Sequence, residues 1–294
     1  MVELLSALTA AMYALSNIAV RKGLSYGSNA VTASVVSLLC TFLVFAVILF
    51  ALFPLSVWNL RSVFVFLAAG ILAPGLFRFF LYEAISRIGV NLATNASHIF
   101  PLVAAATAVI FLNEELNVLK AFGMLLTLGG VFLSAPKAPG TKAFDPSSLW
   151  DKSFLLALAA AVSRGGSETL RKAGLLLFDE PLFGAAIGNL GGFLVSVLLV
   201  ASSGSVRHSL TYGGKSFFYF ILGGLFAIAA WIFGFYALSY GEVVRVTPII
   251  GTVPFFTVAL SAMFLRGVER ITWRIIGASL LVVLGVVCIN LGSG

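Results

Sequence analysis

The sequence predicts an all-α membrane protein whose ten transmembrane helices form a 5+5 inverted repeat. Of its 294 residues, 60% are hydrophobic and only 10% are charged, with a mean hydropathy of +1.09. Soluble domains carry about 25% charged residues, so lipid is the expected solvent for this surface. The apolar residues form runs of about 20, the length that crosses a bilayer as a helix. A polar gap divides these runs into two similar sets of five.

The ten runs are too long and too uniformly apolar for the alternating strands of about ten residues found in membrane barrels. In chain order they are Leu4–Val20, Ala30–Phe53, Val63–Ile85, Val90–Leu112, Leu119–Ala135, Phe154–Leu177, Leu182–Ser202, Phe217–Ser239, Val243–Leu265 and Trp273–Leu291. The first run lacks the basic leader of a signal peptide, because Glu3 precedes it and Arg21 and Lys22 follow it. We therefore expect it to remain a helix.

The proline-containing segment 136–152 is the widest polar gap, and it predicts a linker between a first repeat at 1–135 and a second at 153–294. Leu4–Lys22 aligns with Phe154–Lys172, and both stretches end in Arg-Lys. Further along, equivalent positions are 153 residues apart: Thr94 aligns with Thr247, and Pro101 aligns with Pro254. Five helices per repeat force the two halves into opposite orientations. Such inverted repeats are typical of secondary transporters, which bind substrate near the midplane.

The stretch Leu81–Leu133 contains an Ala-Leu-like helix end at Ala84-Ile85, then a helix with Pro101, the acidic residue Glu114 and a helix from Gly123 to Val131. The second half repeats this order with Ala237-Leu238, Pro254, Glu269 and Gly277 to Val286. This pattern resembles the signature of the drug/metabolite transporter superfamily, in its EamA branch. The resemblance implies that helices one to four and six to nine surround a central cavity, with helices five and ten outside. It also implies export of amino acids, drugs or other metabolites, with YddG-type aromatic amino acid exporters as the nearest expected relatives.

Polar residues inside the predicted spans mark the candidate site, because a charge at the bilayer centre costs about 2.5–3.5 kcal/mol. Arg78 lies in the third helix, one turn after Pro74, which removes a backbone hydrogen bond. Tyr82 follows on the same face. We expect Arg78 and Tyr82 to contact substrate. The alternative is that Arg78 snorkels or pairs structurally with Glu83 or Glu168.

The fourth and sixth helices carry further polar groups. Asn95 and His98 precede Pro101 at helical spacing, and His98 is the candidate for proton coupling because imidazole titrates near neutral pH. A histidine hydrogen-bonded to a neighbouring helix remains the alternative. In the sixth helix we expect Ser163 to face the substrate. Arg164 and Glu168 stand four residues apart, which predicts a structural ion pair.

The first and eighth helices complete the predicted substrate site. Tyr13 and Asn17 share one face of the first helix, while Trp231 and Tyr236 offer rings that would stack on a substrate. Kinks are predicted at three prolines, which are Pro74, Pro101 and Pro254.

These features predict a secondary exporter of small organic metabolites that works by alternating access, with aromatic or neutral amino acids as the favoured cargo. A multidrug or nucleotide-sugar transporter on the same fold is the alternative, and an enzyme embedded in the membrane is a remote one. We expect no cofactor and no metal, a small-molecule substrate, the lipid bilayer rather than nucleic acid as partner, and a functional monomer. The family resemblance implies a bacterial inner membrane, and the basic residues between the spans favour both termini outside.

Overall fold

The computed structural model describes residues 1–28, 30–88, 96–134, 152–202, 214–253, 255–257, 260 and 273–292. Some predicted features lie outside the described residues: Asn95, Pro254, and the linker 136–152 apart from Lys152. The side chain of Tyr82 is also outside that description, although its backbone lies in a helix.

All regular elements in the described ranges are helical. They are α1 (Val2–Leu24), α2 (Ala30–Leu52), a short 3-10 turn (Leu55–Val57), α3 (Leu60–Gly70), a π-helical segment (Ile71–Leu76), α4 (Phe77–Ile88), α5 (Phe100–Leu112), α6 (Val118–Ser134), α7 (Lys152–Leu177), α8 (Pro181–Ser202), α9 (Gly214–Tyr240), α10 (Val243–Ile250) and α11 (Trp273–Leu291). Here α3 and α4 form the third span, while α5 and α10 belong to the fourth and ninth. The ten-helix membrane fold predicted from the sequence is confirmed.

Five described helices are long and apolar enough to cross a membrane by themselves, and they run Val2–Leu24, Thr32–Leu52, Leu60–Leu81, Pro181–Leu198 and Gly214–Tyr240. Shorter apolar helices include Phe100–Leu112 and Val118–Gly130. The 26-residue α7 differs from these, because it contains Arg164, Glu168 and Arg171 within its length. A helix with so many charges is stable at membrane depth only if other helices cover them.

The third span is interrupted at Ile71–Leu76, where Ala73 adopts an extended backbone (φ −145°, ψ 126°) before Pro74. This break frees backbone carbonyls at membrane depth, where water is not available to satisfy them. The hydroxyl of Ser167 donates to the carbonyls of Ala69 (2.8 Å) and Ala73 (3.3 Å). The second repeat therefore supplies the donor that the broken helix of the first repeat requires.

The fourth and ninth spans break at matching positions. His98 and Ile99 form a turn before α5, and Gly251 and Thr252 form a turn after α10. Positions 98 and 251 are 153 residues apart, which is the repeat spacing. Pro101 lies in the first turn of α5, where proline is tolerated. The expectation of a kink within a continuous helix is thus corrected: the chain turns before Pro101, and the proline begins the next helix.

Most of the interhelical packing joins one repeat to the other. In one set of contacts α1 packs against α9 and α10, and in the equivalent set α7 packs against α3, α4 and α5. The outer pair α6 and α11 pack mainly against each other. Exchanging the two halves leaves this pattern unchanged, as an inverted repeat requires.

Glycines allow the closest helix crossings, as expected where apolar helices associate in lipid. Gly70 of α3 lies against the backbone of Gly188 in α8, so closely that a Cβ at Gly70 would collide with the Gly188 carbonyl. In the outer pair, a Cβ at Gly123 would lie 2.6 Å from the carbonyl oxygen of Gly285. These glycines have a packing function.

Candidate functional site

The centre of the site is an ion pair inside α7. The Nη1 atom of Arg171 donates to both carboxylate oxygens of Glu168, at 3.2 and 3.1 Å, and both side chains are buried. This corrects the predicted pairing of Glu168 with Arg164. A spacing of three residues brings side chains together on a helix as well as a spacing of four does, so Arg171 takes the carboxylate and Arg164 does not.

Arg171 also contacts two other elements of the bundle, the interruption of the third span and α9. Its Nη2 atom donates to the carbonyl of Ala73, 3.4 Å away in the interruption of the third span. Its guanidinium carbon lies 4.0 Å from the ring centroid of Trp231 and 5.4 Å from that of Phe235. Trp231 is only 5% exposed. In this conformation the ring of Trp231 supports Arg171, instead of presenting the open stacking surface that the sequence predicted.

Arg164 lies in an aromatic setting. Its guanidinium carbon is 3.9 Å from the ring centroid of Phe100, 5.4 Å from that of Phe77 and 5.8 Å from that of Tyr13. No carboxylate within the described ranges forms an ion pair with it. The ring faces attract the cation, but a cation–π contact is worth only about 0.5–2 kcal/mol.

Arg78 approaches the same region from α4. Its Nη1 atom is buried and has no hydrogen-bond partner among the described residues. The charged groups acting on the Tyr13 hydroxyl are Arg171, Arg164, Glu168 and Arg78. The structure therefore brings Tyr13 and Arg78, both predicted site residues, together with the charged groups of α7. We call Tyr13, Arg78, Arg164, Glu168 and Arg171 the arginine cluster.

The other predicted site residues differ in their burial and in whether they contact this cluster. His98 is buried within electrostatic range of Arg164, and its Nδ1 has no described hydrogen-bond partner. Its coupling function stays a prediction. Ser163 is buried in α7, whereas Asn17 is exposed one turn beyond Tyr13. Tyr236 stacks on Tyr240, with ring centroids 6.4 Å apart, towards the end of α9.

Sequence reasoning assigned no function to four residues in or around the cluster: Arg171, Ser167, Phe77 and Phe100. Arg171 had a local signal, because it stands three residues after Glu168. The two phenylalanines had none, because they belong to helices distant in sequence and the sequence contains 27 phenylalanines. Only the packing of α4 and α5 on α7 identifies them.

A second group of charges joins the repeats at one end of the bundle. The Lys120 ammonium contacts the Glu242 carboxylate at 2.6 Å, and Arg245 pairs with Glu3. The amide of Asn117 donates to the carbonyl of Gly292 at 2.7 Å. Each contact connects a residue of the first repeat to one of the second. We call this group the end network.

Glu114 belongs to the same end. Its carboxylate accepts hydrogen bonds from the backbone N–H groups of Val243 (2.8 Å) and Val244 (2.9 Å), which begin α10. Burial raises the pKa of the Glu114 carboxyl above its ordinary value, and these two donors oppose part of that rise. A cleft of about 230 Å³ opens here. It is lined by Lys172, Tyr240, Gly241, Glu242 and Arg245, so it is separate from the arginine cluster.

Comparison with known proteins gives both a family and a fold. The model of the EamA-like transporter family matches residues 1–135 and 151–291. A solved structure described only as the crystal structure of a protein superposes with a TM-score of 0.81, covering 99% of this chain and 96% of that chain. At 15% sequence identity this likeness shows the fold alone. No protein of curated function matches the chain in sequence.

Proposed function

Because this chain belongs to the EamA-like transporter family, we propose that it exports small organic metabolites carrying a carboxylate, with amino acids as the leading class. The family match supports a membrane transporter of small metabolites. The arginine cluster is the observation that supports the carboxylate. A planar guanidinium presents paired N–H donors that match the two oxygens of a carboxylate.

The positions of the cluster's residues fit a transport site. Tyr13 and Arg78 come from the first repeat, while Arg164, Glu168 and Arg171 come from the second. Substrate sites of inverted-repeat transporters lie at the midplane between repeats, beside interrupted helices. Here the interruption of the third span contacts α7 through Ser167 and Arg171. A ligand bound between Arg78 and Arg164 would contact both halves.

The preference for aromatic amino acids expected from the sequence rested on Trp231 and Tyr236 stacking on the substrate, and it now has less support. Trp231 is covered by Arg171, and Tyr236 stacks on Tyr240. We therefore rest the proposal on the carboxylate and leave the side chain of the amino acid open.

Alternating access requires the two halves to separate at one end and to close at the other. At the end of the bundle where the end network lies, the contacts of that network would have to break for the site to open. We further propose that the protein lies in a bacterial inner membrane and that this end faces outward. The orientation follows from the Lys and Arg residues between the spans, which favour termini on the outer side. A C-terminal reporter active only in the cytoplasm tests the orientation, and strong activity would reject it.

The transport proposal is tested with purified protein in liposomes loaded with labelled amino acids. Release above protein-free liposomes is expected. Arg78→Ala should reduce the rate at least about tenfold, since a lost hydrogen bond to a charged group costs about 1.5–3 kcal/mol. The control is Arg61→Ala, because Arg61 is exposed at the start of α3. The proposal fails if the wild-type protein moves no carboxylate, and the site is wrong if Arg78→Ala transports normally.

A further inference from the structure

The arginine cluster has more positive than negative charge. The charged groups acting on the Tyr13 hydroxyl are three guanidiniums, from Arg78, Arg164 and Arg171, and one carboxylate, from Glu168. Guanidinium groups do not lose their proton in proteins. Subtracting one negative from three positive charges leaves an excess of two among these four groups.

The internal ion pair cancels only one of the three positive charges. Both oxygens of Glu168 accept from Arg171, so this carboxylate is already committed to one guanidinium. Arg171 has further contacts with the carbonyl of Ala73 and the ring of Trp231. These two residues form a neutral unit that fixes α7 against the broken third span.

Arg164 and Arg78 carry the remaining excess. Arg164 lies among Phe77, Phe100 and Tyr13, whose rings attract a cation but carry no net charge. The Nη1 atom of Arg78 is buried without a hydrogen-bond partner among the described residues. Within the described part of the chain neither guanidinium has an ion-pair partner, and a cation at membrane depth is stabilised by a partner of opposite charge.

We propose that the cargo supplies those charges, so that the site selects small organic dianions over neutral amino acids. The shared chemistry is a double negative charge whose oxygens accept from Arg78 and Arg164, as dicarboxylates and phosphate monoesters both provide. A zwitterionic amino acid brings one negative and one positive charge and leaves the excess unchanged. This inference rests on the proposed transport of carboxylates and adds the charge of the cargo.

Matched ligand pairs test the charge selectivity on the wild-type protein. Succinate is compared with succinamate, and L-glutamate with L-glutamine, because each pair differs by one ionised group at nearly constant shape. Affinities from ligand-dependent thermal shift and transport rates in liposomes are both measured. The acid of each pair should bind at least about tenfold more tightly. Glycerol 3-phosphate forms a separate arm that distinguishes phosphate esters from dicarboxylates.

Two substitutions connect the selectivity to the guanidiniums. Arg78→Gln and Arg164→Gln each remove one excess charge, so the ratio of succinate to succinamate affinity should fall towards one. Arg61→Gln is exposed and should leave the ratio unchanged. Size-exclusion profiles verify folding, and the wild-type ligand pairs decide the question even if a variant does not fold.

The outcomes separate the inference from the proposal beneath it. If L-glutamine or L-phenylalanine binds and moves as well as L-glutamate and succinate, the charge selectivity is wrong while carboxylate transport stands. If no carboxylate moves at all, the proposed function itself fails.

Discussion

Glu114 caps the helix that begins at Val243, 129 positions further along the chain, by accepting from its first two backbone N–H groups. A helix N-terminus has donors without intrahelical partners and a partial positive charge, so a carboxylate there is favourable. The acidic residue of the sequence signature therefore joins the loop after α5 to the start of α10. The contact connects the two repeats.

Replacing Glu114 by alanine should destabilise the protein by about 1–2 kcal/mol, the usual effect of losing an N-cap. Glu114→Gln keeps an acceptor oxygen and should lose less. The neighbouring Glu115 is exposed, so Glu115→Ala is the matched control and should have little effect. Unfolding in detergent measures all three, and an equal loss for Glu114→Ala and Glu115→Ala would contradict the cap.

The same residue predicts a pH dependence. Burial raises the pKa of Glu114 above its ordinary 4.5 in the folded protein, so the folded state binds the proton more tightly than the unfolded chain. Its contribution to stability should therefore fall as the pH rises from about 4.5 through the raised pKa. Glu114→Gln, which does not titrate, should decline less over that range. Parallel unfolding profiles for wild type and Glu114→Gln would exclude this effect.

The pair Lys120–Glu242 should respond asymmetrically to mutation. The side chain of Lys120 is 5% exposed, whereas that of Glu242 is 44% exposed. Glu242→Ala leaves a buried ammonium with the carbonyl of Glu115 as its described acceptor, a loss of about 1–3 kcal/mol. Lys120→Met leaves a carboxylate that water can solvate, so it should cost less than about 1 kcal/mol. Chemical denaturation of both variants measures the difference, and the reverse order would reject this explanation.

Gly70→Ala tests the crossing of α3 and α8. The added methyl group would collide with the carbonyl of Gly188, and such a collision with backbone should cost about 3 kcal/mol or more. Gly129→Ala is the control, because a Cβ there meets nothing within 4 Å. The thermal unfolding temperature and the yield of folded protein should fall for Gly70→Ala and not for Gly129→Ala. Normal stability of that variant would mean that the helices separate more easily than this crossing implies.

Much of the site could be anticipated from sequence, but not its pairings. Arg78, Tyr13 and His98 stood out because polar groups are rare within apolar spans. The partner of Glu168 did not, because Arg164 and Arg171 both stand within one turn of it. The contact between Arg171 and Trp231 joins α7 to α9, and no local pattern could indicate it.

The sequence by itself determined that the protein lies in lipid, that it forms ten helices, and that its halves are inverted. Run length, charge content and an odd helix count per repeat are properties of the chain in one dimension. Only the tertiary structure decided which arginine neutralises Glu168, which face of Trp231 is covered and what Glu114 caps. Those outcomes depend on the rotation and depth of helices from opposite repeats, which are set when the bundle packs.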